Sequence, residues 1–168
     1  MSVFVAFGAN LAGPCGSPAQ AFDAAVTLLE RHSVPVTQRS SLWESAPVPR
    51  SEQPWYVNAV VQVDTDLAPH DLLGLLHRIE SAMGRVRSEA NASRAIDLDL
   101  LAYHAQVIGQ KGGEGLMLPH PRLHERAFVL FPLQEIAPNW IHPVSGACIP
   151  DMTAALDPSQ EIRCLAAQ

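Results

Sequence analysis

Apolar residues follow two different spacings along this chain, and the order of these spacings leaves few folds open. Residues 3–7 are continuously apolar, which is typical of a short strand buried on both faces. A helix is predicted from Pro18, because Ser17 and Gln20 form the residue pattern of a capping box. The apolar face of that helix consists of Phe22, Ala25, Val26 and Leu29, at helical spacing.

The middle of the chain predicts two strands and a helix. Val36 to Glu44 is β-prone and predicts a strand, whereas residues 45–54 contain three prolines and predict a loop. Tyr56 to Asp64 alternates like a half-buried strand, and a second helix is predicted from Pro69 to Met83, with Gly84 just past its end. In the strand, Val57, Ala59, Val61 and Val63 share one face, and Tyr56, Asn58, Val60 and Gln62 share the other.

The second half of the chain predicts one more strand and one more helix. The strand covers residues 95–103, and residues 106–108 are predicted to pair back as a hairpin. Leu123 to Ile136 predicts a helix that Pro132 kinks or breaks. The last thirty residues or so are rich in proline and weakly patterned, so we expect a loosely packed tail with short elements.

The predicted order is β-α-β-β-α-β followed by a further helix. This order favours an α+β fold of the ferredoxin-like type, with an antiparallel sheet, helices packed on one face and an additional C-terminal helical segment. A length of 168 residues predicts one domain over 1–168. Because many functions share this fold, the function has to be argued from the side chains.

Composition excludes some function classes. The net charge is −6 and Lys111 is the one lysine, which argues against a general nucleic-acid binder, since such a protein needs a basic face. The three cysteines are widely spaced and predict neither a disulfide framework nor a zinc site, so we expect a reducing, cytoplasmic compartment. The apolar start is too short for a signal peptide or a membrane span, and no membrane association is expected.

Two acidic residues lie inside an otherwise apolar strand. Asp97 and Asp99 point to the same face as Leu101, whereas Ile96, Leu98 and Leu100 point to the other. Two carboxylates at this spacing, about 6–7 Å apart along the strand, could hold a pair of magnesium ions whose shells substrate phosphates complete. A half-exposed strand face with solvated aspartates is the alternative, and the local sequence leaves both open.

Arginines flank the acidic strand on its N-terminal side. Arg85 and Arg87 follow the end of the second helix, and Arg94 directly precedes the strand. Beside a magnesium site, these side chains would neutralise transferring phosphates. Taken alone, Arg85 and Arg87 fit better a role in complementing the helix dipole, and it is together with the aspartates that they favour the phosphate role.

Two further groups suit a ligand but also have ordinary structural roles. Tyr56 and Asn58 share a strand face and would suit a flat heterocycle with an amide edge, although a mixed strand face needs no ligand. His120 and Arg126 open a helix where an anion would be favoured, although a proline-bounded loop explains them as well. Phe128 is a core aromatic or stacks on a ligand ring.

Five motifs together resemble the 6-hydroxymethyl-7,8-dihydropterin pyrophosphokinase family of the folate pathway, over nearly the whole chain. They occur in the family's order, and five in register are highly specific. The motifs are Gly8-Ala-Asn-Leu, Gln53-Pro-Trp-Tyr-Val-Asn58, Gly84-Arg-Val-Arg87, Arg94-Ala-Ile-Asp-Leu-Asp-Leu-Leu101 and Leu118-Pro-His-Pro-Arg-Leu-His-Glu-Arg-Ala-Phe128.

The resemblance implies a ferredoxin-like fold and transfer of pyrophosphate from ATP, the co-substrate, to the hydroxymethyl group of the pterin, with release of AMP. It implies that Asp97 and Asp99 hold two Mg²⁺ ions. The implied residues fall into three groups: Arg85, Arg94, Asp97 and Asp99 in catalysis; His77, Glu80, Arg87, Leu100, His120 and Arg126 around ATP; and Ser45, Ala46, Val48, Tyr56, Asn58 and Phe128 around the pterin.

The chain departs from the family pattern at three places. Some members carry a tryptophan in the mobile lid formed here by residues 85–94, where this chain has Asn91 and a loop one residue shorter. The frequent Thr-Pro pair is Ser45-Ala46 here, so that contact with the pterin falls to the backbone. The usual Gly-Ser-Asn start is Gly8-Ala-Asn, which we interpret as structural.

Two other classes of function fit the same fold. One is a nucleotide-binding module without catalysis, and the other is an RNA-binding module, which the acidic charge and the lack of paired strand aromatics disfavour. As partners we expect ATP and the pterin alcohol, with no nucleic acid and no membrane, and we expect a monomer.

Overall fold

The computed structural model describes residues 2–47, 51–84, 95–109 and 115–165, and these form a mixed sheet-and-helix structure. The elements in chain order are β1 (Val3–Ala9), α1 (Pro18–Arg31), β2 (Val36–Arg39), β3 (Trp43–Ser45), β4 (Tyr56–Val63), α2 (Pro69–Ala82), β5 (Asp97–Tyr103), a 3₁₀ turn (Leu123–Glu125), α3 (Ala127–Ile136), α4 (Ile149–Ala154) and β6 (Ile162–Cys164).

The strands form one antiparallel sheet. Neighbouring strands follow the order β5-β1-β4-β3-β6, and β2 also pairs with β4. β1 pairs with β4 on one side and with β5 on the other, so the first and last strands of the predicted βαββαβ unit are neighbours. The ferredoxin-like α+β class is therefore confirmed.

The helix boundaries follow local signals. The Ser17 N–H donates to Gln20 Oε1 at 2.8 Å, and the Gln20 N–H donates to Ser17 Oγ at 3.3 Å, so the predicted capping box is formed. Past the end of α2, Gly84 has a φ of +86°, and a Cβ there would lie 2.7 Å from Pro14 Cγ. Glycine is therefore favoured at that position for both its conformation and its size.

Helices cover both faces of the sheet, and the sequence patterns did not predict where the C-terminal helices lie. α1 and α2 pack on the face formed by Val5, Phe7 and Leu98, while α3 and α4 cover the opposite face, around Phe4 and Leu101. The prediction of helices on one face was therefore incomplete, and the prediction of a loosely packed tail was wrong. Short apolar segments after residue 138 complete the second core, and β6 extends the sheet by pairing with β3.

Three predicted elements differ in detail. The strand from Val36 to Glu44 is divided at Ser40, whose Oγ accepts the Val60 N–H at 3.0 Å and so replaces a regular backbone partner. The helix from Leu123 breaks at Arg126, where the backbone is extended, and continues through Pro132. The predicted hairpin does not return to β5, because Ile108 pairs instead with Leu118.

Within the described ranges, no helix combines the length and the apolar character needed to cross a lipid bilayer.

Candidate active site

A cleft of about 720 Å³ opens at one end of the sheet, on the face covered by α3. Its floor follows from strand register: Gly8 lies opposite Asp97 on β5 and opposite Asn58 on β4, while Ala6 lies opposite Asp99. Asp97, Gly8 and Asn58 thus form one row across three strands, and Asp99 lies in a neighbouring row on the same face. Gly8 separates Asp97 from Asn58 without a side chain of its own.

The walls of the cleft come from three separate segments of the chain. They are the loop after β3 with residues 51–53, the start of α3, and the segment before β6. Their lining residues are Ser45, Ala46, Pro47, Ser51 and Gln53; His120, Arg122, Glu125, Arg126 and Phe128; and Asp157, Ser159, Gln160 and Glu161.

An arginine lies directly against the acidic pair. Arg126 Nη1 is 3.6 Å from Asp99 Oδ2, and the two side chains are 19% and 38% exposed. Burial lowers the pKa of Arg126 below its ordinary value, while Asp99 opposes that change. The cleft therefore combines two carboxylates with a partly desolvated positive charge, which is an arrangement suited to binding phosphates through metal ions.

The acidic pair supplies enough oxygen ligands for a magnesium ion that also binds water and substrate, but too few for a metal ion held by side chains alone. Among the residues that the structure describes, no cluster of three His, Cys, Asp or Glu side chains could hold a metal ion. Magnesium commonly takes one or two carboxylates and completes its shell with water and substrate phosphates. Asp97 and Asp99, which both line the open cleft, fit that pattern.

His120 borders the cleft as a neutral ring. Its Nδ1 accepts the Arg122 N–H at 3.2 Å, so the neutral imidazole carries its proton on Nε2. The backbone N–H of His120 donates to the Leu101 carbonyl at 2.8 Å and ties this loop to β5. Burial, followed by the charges of Arg126 and Arg122, lowers the pKa of His120 to about 4. His120 can therefore donate a hydrogen bond to an anion at neutral pH without adding charge.

The depressed pKa of His120 can be measured directly. In the metal-free and nucleotide-free protein, we expect the imidazole C2–H resonance that is missing from His120→Gln to titrate with a midpoint near pH 4. Between pH 6.5 and about 4 the unfolded chain binds a proton at this site that the folded chain does not. This histidine therefore lowers folded stability as the pH falls through that window. A midpoint above pH 6 would contradict the burial of the ring.

Asn58 has a fixed amide orientation. The residue is 3% exposed, and its Nδ2 donates to Ser45 Oγ at 2.9 Å. Its Oδ1 faces Gly8, since a Cβ built on that glycine would lie 3.5 Å from the oxygen. The amide thus connects β3 to β4 through its nitrogen and keeps its oxygen on the cleft side of the sheet.

Tyr56 is oriented by a separate polar network. Its hydroxyl donates to Gln53 Oε1 at 3.4 Å, and the same oxygen accepts Asn10 Nδ2 at 3.4 Å. Asn10 also donates to the Pro54 carbonyl at 3.2 Å, so the buried amide holds the loop before β4 against the end of β1. On the opposite wall, the Arg126 guanidinium lies 5.4 Å from the ring centroid of Phe128.

The structure brings together most of the described residues that were predicted for the site. The predicted residues that line the cleft are Ser45, Ala46, Tyr56, Asn58, Asp97, Asp99, His120, Arg126 and Phe128. Arg85, Arg87, Arg94, Asn91 and Val48 lie outside the described residues, so their predicted roles stay predictions.

Three residues predicted around ATP do not line this cleft. The Glu80 side chain is 1% exposed and accepts the Leu98 N–H at 2.7 Å, so it lies beneath β5. The Leu100 side chain belongs to the core on the α1–α2 face. His77 lies on α2, half-buried. Roles for these residues at ATP stay predictions.

The sequence patterns did not assign Arg122, Glu125 or the segment 157–161 to the site. Arg122 and Glu125 lie within the motif Leu118 to Phe128, so their closeness to Arg126 in the chain was a usable signal. Segment 157–161 carried no such signal, because it reaches the cleft through the pairing of β6 with β3.

The family model described as 7,8-dihydro-6-hydroxymethylpterin-pyrophosphokinase matches residues 4–138. The chain is 44% identical to a 2-amino-4-hydroxy-6-hydroxymethyldihydropteridine pyrophosphokinase of Methylorubrum extorquens, over 74% of this chain and 75% of the relative. It is 40% identical to the protein of the same name from Pseudomonas aeruginosa, over 91% of this chain and 90% of the relative.

Longer proteins also contain a similar region. The folic acid synthesis protein FOL1 of Dictyostelium discoideum is 40% identical over 84% of this chain, which corresponds to 20% of FOL1. A crystal structure of an HPPK-DHPS in complex with substrates aligns with a TM-score of 0.71 and 16% identity, over 92% of this chain and 43% of that one. At that identity the likeness shows the fold.

Proposed function

The chain belongs to the 7,8-dihydro-6-hydroxymethylpterin-pyrophosphokinase family and is a pyrophosphokinase of folate synthesis, and we propose that it works with two Mg²⁺ ions held by Asp97 and Asp99. It transfers a pyrophosphoryl group from ATP to the hydroxymethyl group of the reduced pterin. The observation that carries the proposal is that the acidic pair and the Tyr56–Asn58 face line one cleft.

The reaction divides the cleft into a phosphate side and a pterin side. The pterin hydroxymethyl oxygen bonds to the β-phosphorus of ATP while the bond from that phosphorus to the α,β-bridging oxygen breaks, so AMP leaves and the hydroxyl proton is released. ATP binds first in this scheme. Bound magnesium would supply charge neutralisation on the phosphates. The residues supply positioning and electrostatic stabilisation, which dominate phosphoryl-type transfer.

On the phosphate side, the cleft carries negative carboxylates that would hold the metal ions and a positive guanidinium that would contact the phosphates of ATP. Arg126 and the Nε2–H of His120 contact phosphate oxygens, and Arg85 and Arg94 assist transfer, as the family resemblance implies. The family resemblance implies a role near the nucleotide for Arg87, His77 and Leu100, and Glu80 would support this region through its hydrogen bond with the Leu98 N–H. The 3.6 Å approach of Arg126 to Asp99 holds the guanidinium near the metal ligands.

On the pterin side, the fixed amide of Asn58 reads the polar edge of the ring. Tyr56 and Phe128 contact the ring faces, since each presents an aromatic surface to the cleft. The backbone of Ser45 and Ala46 contacts the same edge of the pterin, and the family resemblance implies a pterin contact for Val48 as well.

Gly8→Ala tests whether the floor between the two sides must stay free of a side chain. We expect the KM for the pterin to rise about 10-fold or more, because one methyl group in a fitted pocket has an effect of that size. Folding should be unaffected, since the new Cβ would meet Asn58 Oδ1 at an ordinary 3.5 Å. Gly74→Ala on α2 is the matched control, and steady-state kinetics with thermal unfolding measure both. An unchanged pterin KM would show that the floor is not in contact with the substrate.

The direct test is an assay of AMP formation with ATP, magnesium and the reduced pterin alcohol. We expect AMP and the pterin diphosphate in equal amounts, and neither when pterin or magnesium is omitted. ATP binding without AMP formation would favour a non-catalytic nucleotide-binding module, and ADP as the product would contradict pyrophosphoryl transfer.

We also propose that the chain is a single cytoplasmic domain over 1–168 that works as a monomer. The free cysteines Cys15, Cys148 and Cys164 support a reducing compartment. Light scattering coupled to gel filtration measures the oligomeric state directly.

A further inference from the structure

We infer that Gln160 is a positioning residue that sets Arg126 and Phe128 for substrate binding from the far end of the chain. The inference rests on the proposed function, because the proposed function assigns Arg126 to ATP and Phe128 to the pterin. Gln160 follows α4, lies beyond the family match at residues 4–138, and lines the cleft beside them.

The side chain of Gln160 holds the backbone on both sides of Arg126. Its Oε1 accepts the Ala127 N–H at 2.9 Å, and its Nε2 donates to the Glu125 carbonyl at 2.9 Å. One amide thereby fixes the peptide groups that precede and follow the arginine. We call this pair of hydrogen bonds the clamp. An amide that donates and accepts is the side chain that can make both bonds.

The clamp acts where the local sequence supplies no cap of its own. α3 begins at Ala127, and Arg126 at the N-cap position makes no side-chain capping hydrogen bond. The first N–H groups of a helix lack intrahelical partners, so a side-chain acceptor there fixes where the helix begins. Gln160 provides that acceptor from 33 residues away along the chain.

The same segment is anchored to the opposite wall of the cleft. The Glu161 carbonyl accepts the Ala46 N–H at 3.0 Å, and Ile162 pairs with Ser45 in the sheet. The next residue, Arg163, donates a hydrogen bond to Glu44, and its guanidinium lies 4.9 Å from the ring centroid of Trp55. Segment 160–163 thus connects the wall that carries Ser45 and Ala46 to the wall that carries Arg126 and Phe128.

Loss of the clamp should therefore alter substrate binding in a folded protein. Arg126 and Phe128 lie immediately on either side of the capped residue, so a change of backbone angle there moves both into new positions. Misplacement of about 1 Å in a binding constellation can cost on the order of 100-fold in rate. Gln160 itself need not contact either substrate for this effect.

The test compares Gln160→Ala, Gln160→Met and Gln106→Ala. Methionine keeps the length of the side chain without either hydrogen bond, and Gln106 is an exposed glutamine past β5 that does not line the cleft. We expect both Gln160 variants to raise the KM for ATP and for pterin about 10-fold or more. A purely structural role would instead lower the apparent kcat in proportion to the folded fraction and leave both KM values unchanged. That result, or wild-type KM values in Gln160→Met, would overturn the inference.

A second readout separates this inference from the proposed function. Hydrogen exchange of the Ala127 amide, followed by NMR in the substrate-free protein, should become faster in both Gln160 variants and stay unchanged in Gln106→Ala. If the wild-type protein forms no AMP while this difference is found, the proposed function fails and the clamp stands. If exchange at Ala127 is unchanged, the clamp itself is absent.

Discussion

Replacing either acidic residue of β5 with its amide should abolish most turnover while leaving the fold intact. For Asp97→Asn and Asp99→Asn we expect AMP formation to fall roughly 100- to 1,000-fold, since the loss of metal-assisted charge stabilisation amounts to several kcal/mol. Asparagine has the same shape as aspartate, and both side chains line the open cleft. Neither substitution therefore leaves a cavity.

The two substitutions should differ in their secondary effects. Asp99 lies 3.6 Å from Arg126, so Asp99→Asn also frees the guanidinium and should change the KM for ATP. The charge of Asp97 raises the pKa of Arg126 less than that of Asp99 does, so Asp97→Asn is the cleaner test of metal binding. Raising the magnesium concentration should restore part of the lost rate if metal affinity is what the change reduces.

A matched control keeps this test specific. Asp66→Asn changes an exposed aspartate in the loop before α2, outside the cleft, and should leave turnover within about twofold of wild type. Circular dichroism and thermal unfolding establish that all three variants fold. Near-normal turnover by either cleft variant, with magnesium present, would show that the metal assignment is wrong.

Glu80→Ala should lower the stability of the protein more than either cleft substitution does. We expect the free energy of unfolding to fall by about 2–3 kcal/mol, because a buried N–H would lose its charged acceptor. Glu80 is 1% exposed, and its Oε1 accepts the Leu98 N–H at 2.7 Å. It lies in the last turn of α2, where a negative charge opposes the helix dipole, and its hydrogen bond with the Leu98 N–H offsets part of that cost.

Loss of the hydrogen bond between Glu80 and the Leu98 N–H should also disturb the cleft, because Leu98 lies between the two acidic residues of β5. An amide at the same position retains an acceptor oxygen, so Glu80→Gln should lose less stability than Glu80→Ala. Glu30→Ala on the exposed side of α1 is the matched control, with an expected change within about 0.5 kcal/mol. Urea unfolding followed by fluorescence measures all three. Equal stability of Glu80→Ala and wild type would mean that the Leu98 N–H finds another partner.

Local patterns predicted the elements that have a local cause. The two-residue period of strands placed Asp97 and Asp99 on one face, and the pattern at Ser17 and Gln20 placed the start of α1. The family motifs then predicted which side chains would share a cleft, and most of the described ones do. These features depend on residues a few positions apart, so a single pass along the chain is enough to find them.

Other features depend on contacts between distant segments. Ser40 divides a predicted strand because its hydroxyl meets the Val60 N–H, and Glu80 is buried because β5 lies against α2 at Leu98. No spacing in the sequence predicts either contact.

The C-terminal segment shows the same division most clearly. Its weak hydrophobic pattern predicted a loose tail, yet β6 pairs with β3 and Gln160 caps α3. The sequence by itself determined the βαββαβ order from β1 to β5, the N-terminal cap of α1 and the face of the acidic pair, since each follows from the geometry of one strand or helix. Only the tertiary structure decided which segments close the cleft and where α3 begins, because hydrogen bonds between residues far apart in sequence select those arrangements.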